Sequence, residues 1–186
     1  MKKVDTTNVQ ESGEYTRPEP GAYIGVLTAV EDVESKEYLK ITYDIAEGEF
    51  KGYYGKMRED HPDWSNAGVY YRSYKLTALS MFKRFCTAVS RSNGVFVFDG
   101  GEVNADEKTL TGKKIGLLIG EEEYYGNDGE KKTRLKVVRE FSIDKLKEQK
   151  VPKLKTIKDD EPAATTQTAD DFANVPAGTP EETPFN

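Results

Sequence analysis

The chain has 186 residues, a formal net charge of −6 and 36% hydrophobic residues, enough for one ordinary domain but too polar for the whole length to pack into a core. One cysteine, Cys86, excludes an internal disulfide framework and suits a reducing compartment. No apolar run approaches the roughly 18 residues of a membrane helix, and Met1-Lys2-Lys3 leads into Val4-Asp5-Thr6-Thr7 in place of a signal-peptide core, so a soluble, cytoplasmic protein is expected.

Residues 1–20 are polar, close on Pro18 and Pro20, and read as a flexible N-terminal arm. A strand is predicted over Ala22–Glu31, with Ile24, Val26 and Val30 on one face. A second follows over Tyr38–Ile45, where Leu39, Ile41, Tyr43 and Ile45 alternate with Tyr38, Lys40, Thr42 and Asp44. The short link between them predicts that they pair. Phe50–Met57 reads as a further strand-like run after the Glu47-Gly48-Glu49 turn. Val69–Tyr74 is a short strand with Tyr70, Arg72 and Tyr74 on one face.

Leu76, Leu79, Phe82, Phe85, Cys86 and Val89 recur at helical spacing and predict a helix over Lys75–Arg91, ended at Asn93-Gly94. A small insertion with a short strand at Val95–Phe98 comes next. The long hairpin from Lys113 to Phe141 is the strongest local signal. Gly126-Asn127-Asp128-Gly129 joins two strand-like arms, and an Asp-Gly pair supplies the positive φ that a tight turn needs. On its second arm Leu135 and Val137 face one way, Arg134 and Lys136 the other. Gly116 and Gly120 leave room for another backbone or a ligand to approach the first arm. A short helix, Ser142–Gln149, is predicted with Ser142 as its cap.

This order is mainly β: about five strands with one helix between strands 3 and 4. It is the order of an OB-fold, a small Greek-key barrel whose face often binds oligonucleotides. An SH3-like barrel and a curved open sheet are the alternatives. The OB-fold-like nucleic-acid-binding domain then spans 21–157, and 158–186 is a disordered acidic C-terminal tail. That tail holds Asp159, Asp160, Glu161, Asp170, Asp171, Glu181 and Glu182, and beyond Lys158 no lysine or arginine. Removing these seven from the 33 acids leaves 26 against 27 basic residues, so the rest of the chain is near neutral.

Single strands are held by aromatic platforms that stack bases and basic grooves that track phosphates. Tyr38 with Lys40, Tyr54 with Lys56 and Arg58, Tyr70 and Tyr74 with Arg72, Lys113, and Arg134 with Lys136 are the candidate DNA-binding residues. The competing reading makes the tyrosines ordinary strand residues with their rings on the core. Glu59-Asp60-His61-Pro62-Asp63 has the residue types of a divalent-cation site, but no second histidine or cysteine supports it, and a solvated loop is expected. Cys86 falls on the apolar helix face, as a packed thiol would. No nucleophile–base pair, P-loop or dinucleotide-binding glycine pattern is present. Neither an enzyme nor a cofactor is expected.

The opening GAYIGVLTAVEDVESKEYLKITYDIAEGEFKGYYG and the segment EEEYYGNDGEKKTRLKV, preceded by GKKIG and followed by a Ser-Ile-Asp-Lys-Leu run, resemble a group of short phage-encoded proteins. Many of them carry only a domain-of-unknown-function label. The resemblance covers roughly Gly21 to Lys155 and implies a replication-associated single-stranded-DNA-binding protein in the host cell cytoplasm. Separately, Glu181, Glu182, Pro184 and Phe185 are similar to the acidic tip of bacterial single-stranded-DNA-binding proteins. That similarity implies capture of replication or recombination partners, although Asn186 after the phenylalanine departs from the pattern. The expected function is therefore a non-catalytic single-stranded-DNA-binding protein of phage replication or recombination. The alternatives are a protein-interaction adaptor of a phage replisome and an RNA-binding OB module.

Overall fold

The computed structural model describes Lys3 and residues 16–64, 66–126 and 128–157. Its strands are β1 (Gly21–Val33), β2 (Tyr38–Ile45), β3 (Val69–Ser73), β4 (Lys114–Tyr125) and β5 (Lys131–Phe141). Helix α1 (Tyr53–Asp60) follows β2, and α2 (Leu79–Ser92) lies between β3 and β4. The five strands form one antiparallel sheet in the order β3-β2-β1-β4-β5. The sheet is not closed: among the described residues no backbone ladder joins β3 to β5.

Strand β1 is long enough to serve two neighbours. Gly21–Val26 pairs with β4 and Gly25–Val33 with β2. The register shifts between Leu27 and Ala29, and again opposite Leu118 and Ile119, where Val138 is the extra residue of β5. A bulge bends its strand and increases the local twist. Two of them help curl this sheet until its edges approach each other.

The inner face carries Leu27, Ile41, Ile45, Ile115, Leu117 and Ile119, all buried in one cluster with Phe85 and Val89 of α2. Each contributes roughly 1.5–3 kcal/mol relative to an exposed side chain. The helix is shorter than its apolar spacing predicts. Leu76 lies in a 3-10 turn ahead of α2 and is 88% exposed, so it does not join the core.

Three local expectations give way to longer-range contacts. Phe50–Met57 is not a strand, because helix α1 begins at Tyr53. The Asp44 carboxylate caps that helix from β2: Oδ1 accepts the Tyr54 N–H at 3.0 Å and Oδ2 the Gly55 N–H at 2.8 Å. Val95–Phe98 is not a strand either. Its end is held by a side chain, with the Phe98 N–H donating to Ser90 Oγ at 3.0 Å and the ring buried in the core. Ser142 precedes a 3-10 turn, Ile143–Glu148, and makes no side-chain cap.

The chain ends of the folded body are tied to the β4–β5 hairpin. Pro18 is fully buried and Arg17 pairs with Glu121, so packing starts ahead of Gly21. Lys155 bridges Glu122 in parallel. The close approaches at the β4 glycines are made by the chain itself. A Cβ on Gly116 would stand 2.3 Å from the Phe141 ring, and one on Gly120 would stand 2.6 Å from Val138 and 3.3 Å from Pro152. No helix among the described residues is long and apolar enough to cross a membrane.

Candidate nucleic-acid interface

Parity decides what β3 offers. Tyr70 and Arg72 point inward with 5% exposure each, while Val69, Tyr71 and Ser73 lie on the other face. Arg72 donates from Nε at 2.8 Å and from Nη2 at 2.5 Å to Oε1 of Glu140 on β5. Both side chains are almost wholly buried. A buried charge is tolerated when paired, and here the pair bridges the two edges of the sheet. Glu140 Oε2 and the Tyr70 hydroxyl are buried together beside this pair. Burial, and then the Glu140 charge, pushes the Tyr70 hydroxyl well above the ordinary tyrosine value.

Tyr70, Arg72 and Tyr74 therefore do not form one exposed face. Tyr70 and Arg72 belong to the interior. The Tyr74 hydroxyl donates to Asp32 at 2.8 Å while its ring packs edge-on to Phe82. An arginine in a short strand reads as surface unless its partner is visible, and Glu140 is 68 residues away.

Where β3 and β5 face each other without pairing, the sheet opens into a cleft of about 740 Å³. Tyr43, Tyr54 and Tyr70 form an edge-to-face cluster at its base, with ring centroids 5.0 Å and 5.7 Å from Tyr43. Burial is the first cause of the raised hydroxyl pKa values of Tyr43 and Tyr54. Arg17, Trp64, Tyr71, Tyr124, Arg134 and Lys136 belong to its more accessible lining, together with the exposed carboxylate of Asp63. Trp64 is 49% exposed and stacks on His61, with ring centroids 4.2 Å apart at 16°. The Arg134 guanidinium lies over the Tyr124 ring at 5.0 Å. Tyr71 meets Tyr38 edge-on at 5.2 Å on the outer face of β2 and β3.

The charge of this lining is lower than its lysines and arginines imply. Glu122 stands opposite Arg134 in the register and takes its Nε at 2.8 Å, while Lys136 Nζ lies 3.2 Å from the same carboxylate. Burial, the larger effect, holds Lys136 below the ordinary lysine value against the pull of Glu122. Lys131 pairs with Glu123 at 3.5 Å and Lys132 with Asp128. The basic face of the hairpin is thus interleaved with its own acids.

Of the expected DNA-binding residues, Tyr54, Tyr70, Arg134 and Lys136 line one cleft. Tyr38 and Lys40 sit on the outer face of β2, where Lys40 is 3.9 Å from Glu31. Lys56 is exposed on α1, and Arg58 Nη1 donates to the Ala67 carbonyl at 2.7 Å, holding the turn into β3. Lys113 lies over the Phe96 ring at 4.2 Å, outside the cleft lining. Glu181, Glu182, Pro184 and Phe185 lie outside the described residues. Trp64, Tyr71 and Tyr124 are lining residues that periodicity does not single out. Trp64 stands in a stretch with no repeat of apolar positions, and Tyr71 has the parity opposite to Tyr70.

Among the described residues no group of three metal-ligating side chains comes together; in the Glu59–Asp63 stretch His61 is taken up by Trp64. Cys86 is buried on α2, and burial pushes its thiol up to about 12. No protein-family model matches the chain, and no curated protein matches it.

Proposed function

We propose that this chain is a non-catalytic single-stranded-DNA-binding protein of phage replication or recombination, acting in the host cytoplasm. The observation that carries this reading is the cleft between β3 and the β4–β5 hairpin, where Trp64, Tyr71 and Tyr124 stand beside Arg17, Arg134 and Lys136. Aromatic faces stack any base, each worth roughly 1–3 kcal/mol, and cations beside them take the phosphates. The phage assignment rests on the sequence resemblance alone.

An OB-like body is part of the proposal. The five antiparallel strands in the order β3-β2-β1-β4-β5, with α2 after the third, support it, since an OB-fold is a five-stranded, partly open Greek-key barrel. The Arg72–Glu140 pair supports it too, since it spans the gap between β3 and β5 with side chains where backbone bonds are missing. Residues 158–186 are proposed to recruit partner proteins through Glu181, Glu182, Pro184 and Phe185, and to compete with DNA for basic surface.

Binding of oligo(dT), oligo(U) and duplex DNA at two salt concentrations tests the reading. Oligo(dT) should bind, more tightly than duplex, with an affinity that falls as salt rises. A salt-independent affinity or a preference for duplex overturns it, and tighter binding of oligo(U) moves it to an RNA-binding module. The internal neutralisation of Arg134 and Lys136 by Glu122 favours a second reading, a replisome adaptor. Failure of all three probes would leave that one standing.

A further inference from the structure

A second group of cations, outside the ion pairs of the hairpin, lies where α2 meets the end of β5. Lys83, Arg84 and Arg91 of α2, Arg139 of β5 and Lys145 of the following 3-10 turn line a groove of about 610 Å³. All five are exposed. None of them is in an ion pair among the described residues. Of the acids that line the groove, Glu140 is committed to Arg72 in the core, which leaves Glu148. Arg139 is steadied by donating to Gln149 Oε1 at 2.7 Å. Partial burial lowers the Arg84 pKa, the expected cost of crowding a guanidinium among other cations against the body.

Shape and continuity select the ligand. Arg84 and Arg91 are seven positions apart on α2, about two turns or roughly 10 Å along the axis. A line of that length suits a chain of anions better than one isolated phosphate. Guanidinium groups match phosphate oxygens with two parallel donors. The groove also continues the aromatic cleft: residues 133–137 of β5 line the cleft and 139–142 line the groove. A strand leaving the cleft along β5 therefore runs directly onto these cations.

We propose that the α2–β5 groove is a second, phosphate-tracking contact for single-stranded DNA, separate from the base-stacking cleft. The proposal rests on the DNA-binding reading of that cleft. The division of labour follows from the charges. The cleft supplies aromatic faces with much of its charge neutralised, and the groove supplies charge with no exposed aromatic ring in its lining.

The test is a salt titration of binding to a long oligo(dT) and to one of a few nucleotides, using the full chain and the triple variant Arg84→Gln/Arg91→Gln/Arg139→Gln. Each phosphate that is no longer neutralised should reduce the log–log salt slope by about 0.7. The triple variant should therefore bind the long oligonucleotide with a slope shallower by up to about 2 and at least tenfold more weakly at low salt. Quenching of Trp64 fluorescence at saturation, and affinity for the short oligonucleotide, should be unchanged. If the triple variant does not fold, Lys83→Glu/Lys145→Glu, two exposed positions of the same groove, carries the same comparison. An unchanged slope with intact binding overturns the groove alone. Absence of oligonucleotide binding by the unmodified chain overturns the cleft reading and the groove with it. Capture of a polyglutamate peptide that the variant loses, with strand binding unaltered, reassigns the groove to an acidic protein segment and also overturns the proposal.

Discussion

Arg72 on β3 and Glu140 on β5 meet at 2.5 Å inside the body, joining the two edges of a sheet whose backbone does not close. Removing one partner leaves the other charge buried and uncompensated, a loss of about 3–5 kcal/mol. Glu140→Ala and Arg72→Ala should each lower the unfolding free energy from urea titration by that much. The double replacement Arg72→Met/Glu140→Leu removes both charges, so it should recover most of the loss. A double variant as unstable as the singles would mean that the pair is needed for its geometry and not only for neutrality.

Asp44 and Gly55 form a second long-range device. A Cβ on Gly55 would sit 2.6 Å from Asp44 Oδ2, so the cap requires glycine there. Gly55→Ala and Asp44→Ala should each cost about 1–2 kcal/mol, the range of a lost helix cap. Because both act on the same cap, their effects should be less than additive in a double-mutant cycle. Simple additivity would show that the cap is not shared.

Trp64 and Tyr70 line the same cleft at very different exposures, 49% and 5%. Trp64→Ala should weaken oligo(dT) binding by the worth of one stacked base, roughly 1–3 kcal/mol, and leave the melting temperature nearly unchanged. Tyr70→Ala should instead destabilise the fold by roughly 3–5 kcal/mol, as a buried aromatic truncation does. The reverse pattern, with Tyr70→Ala stable but defective in binding, would undo the assignment of Tyr70 to the interior.

Alkaline pH should unfold the protein. Tyr43, Tyr54 and Tyr70 have hydroxyl pKa values raised above 10.0, and Cys86 is raised from 9.0 to about 12, in each case chiefly by burial. A raised folded pKa means that the native state keeps a proton which the unfolded chain releases. The stabilisation is complete below the unfolded value and is lost as pH climbs towards the folded one. Each group adds a slope of up to about 1.4 kcal/mol per pH unit above its unfolded value. Lys136, held below 10.5 by burial, works in the opposite direction but is outnumbered by these four groups. Urea titrations at pH 8 and pH 11 should show the decline. A flat profile would mean that these hydroxyls and the thiol ionise in place.

Residues 159–186 carry seven acids and no cation, and they lie outside the described residues. On the proposed reading, this tethered acidic segment competes with DNA for basic surface at high effective concentration. Deletion after Lys158 should tighten oligo(dT) binding at low salt, and the gain should shrink as the Debye length falls to about 8 Å at physiological ionic strength. Deletion of Phe185 and Asn186 removes no side-chain acid and should leave strand affinity nearly unchanged. If the two deletions had equal effects on affinity, the tip itself would be the competing element.

Local chemistry in the chain determined the long hairpin, because an Asp-Gly turn flanked by alternating side chains admits few other conformations. Gly129 has φ 75 at that turn, and β4 and β5 run on either side of it. The same holds for β2, whose alternation over Tyr38–Ile45 coincides with the strand, and for the apolar stripe Phe85-Cys86-Val89 of α2. Alternation reveals which residues share a face. It does not say which face is turned inward when both carry polar groups, and so β3 could be read with Tyr70 and Arg72 outward. That choice was made by Glu140, brought to Arg72 by the curvature of the whole sheet. Helix α1 was hidden for a similar reason, since its cap comes from Asp44 on another element. The charge of the hairpin depended on register, which sets Glu122 against Arg134. Periodicity is a property of neighbours along the chain, whereas burial, pairing and net local charge are properties of neighbours in space, and only the tertiary fold supplies those.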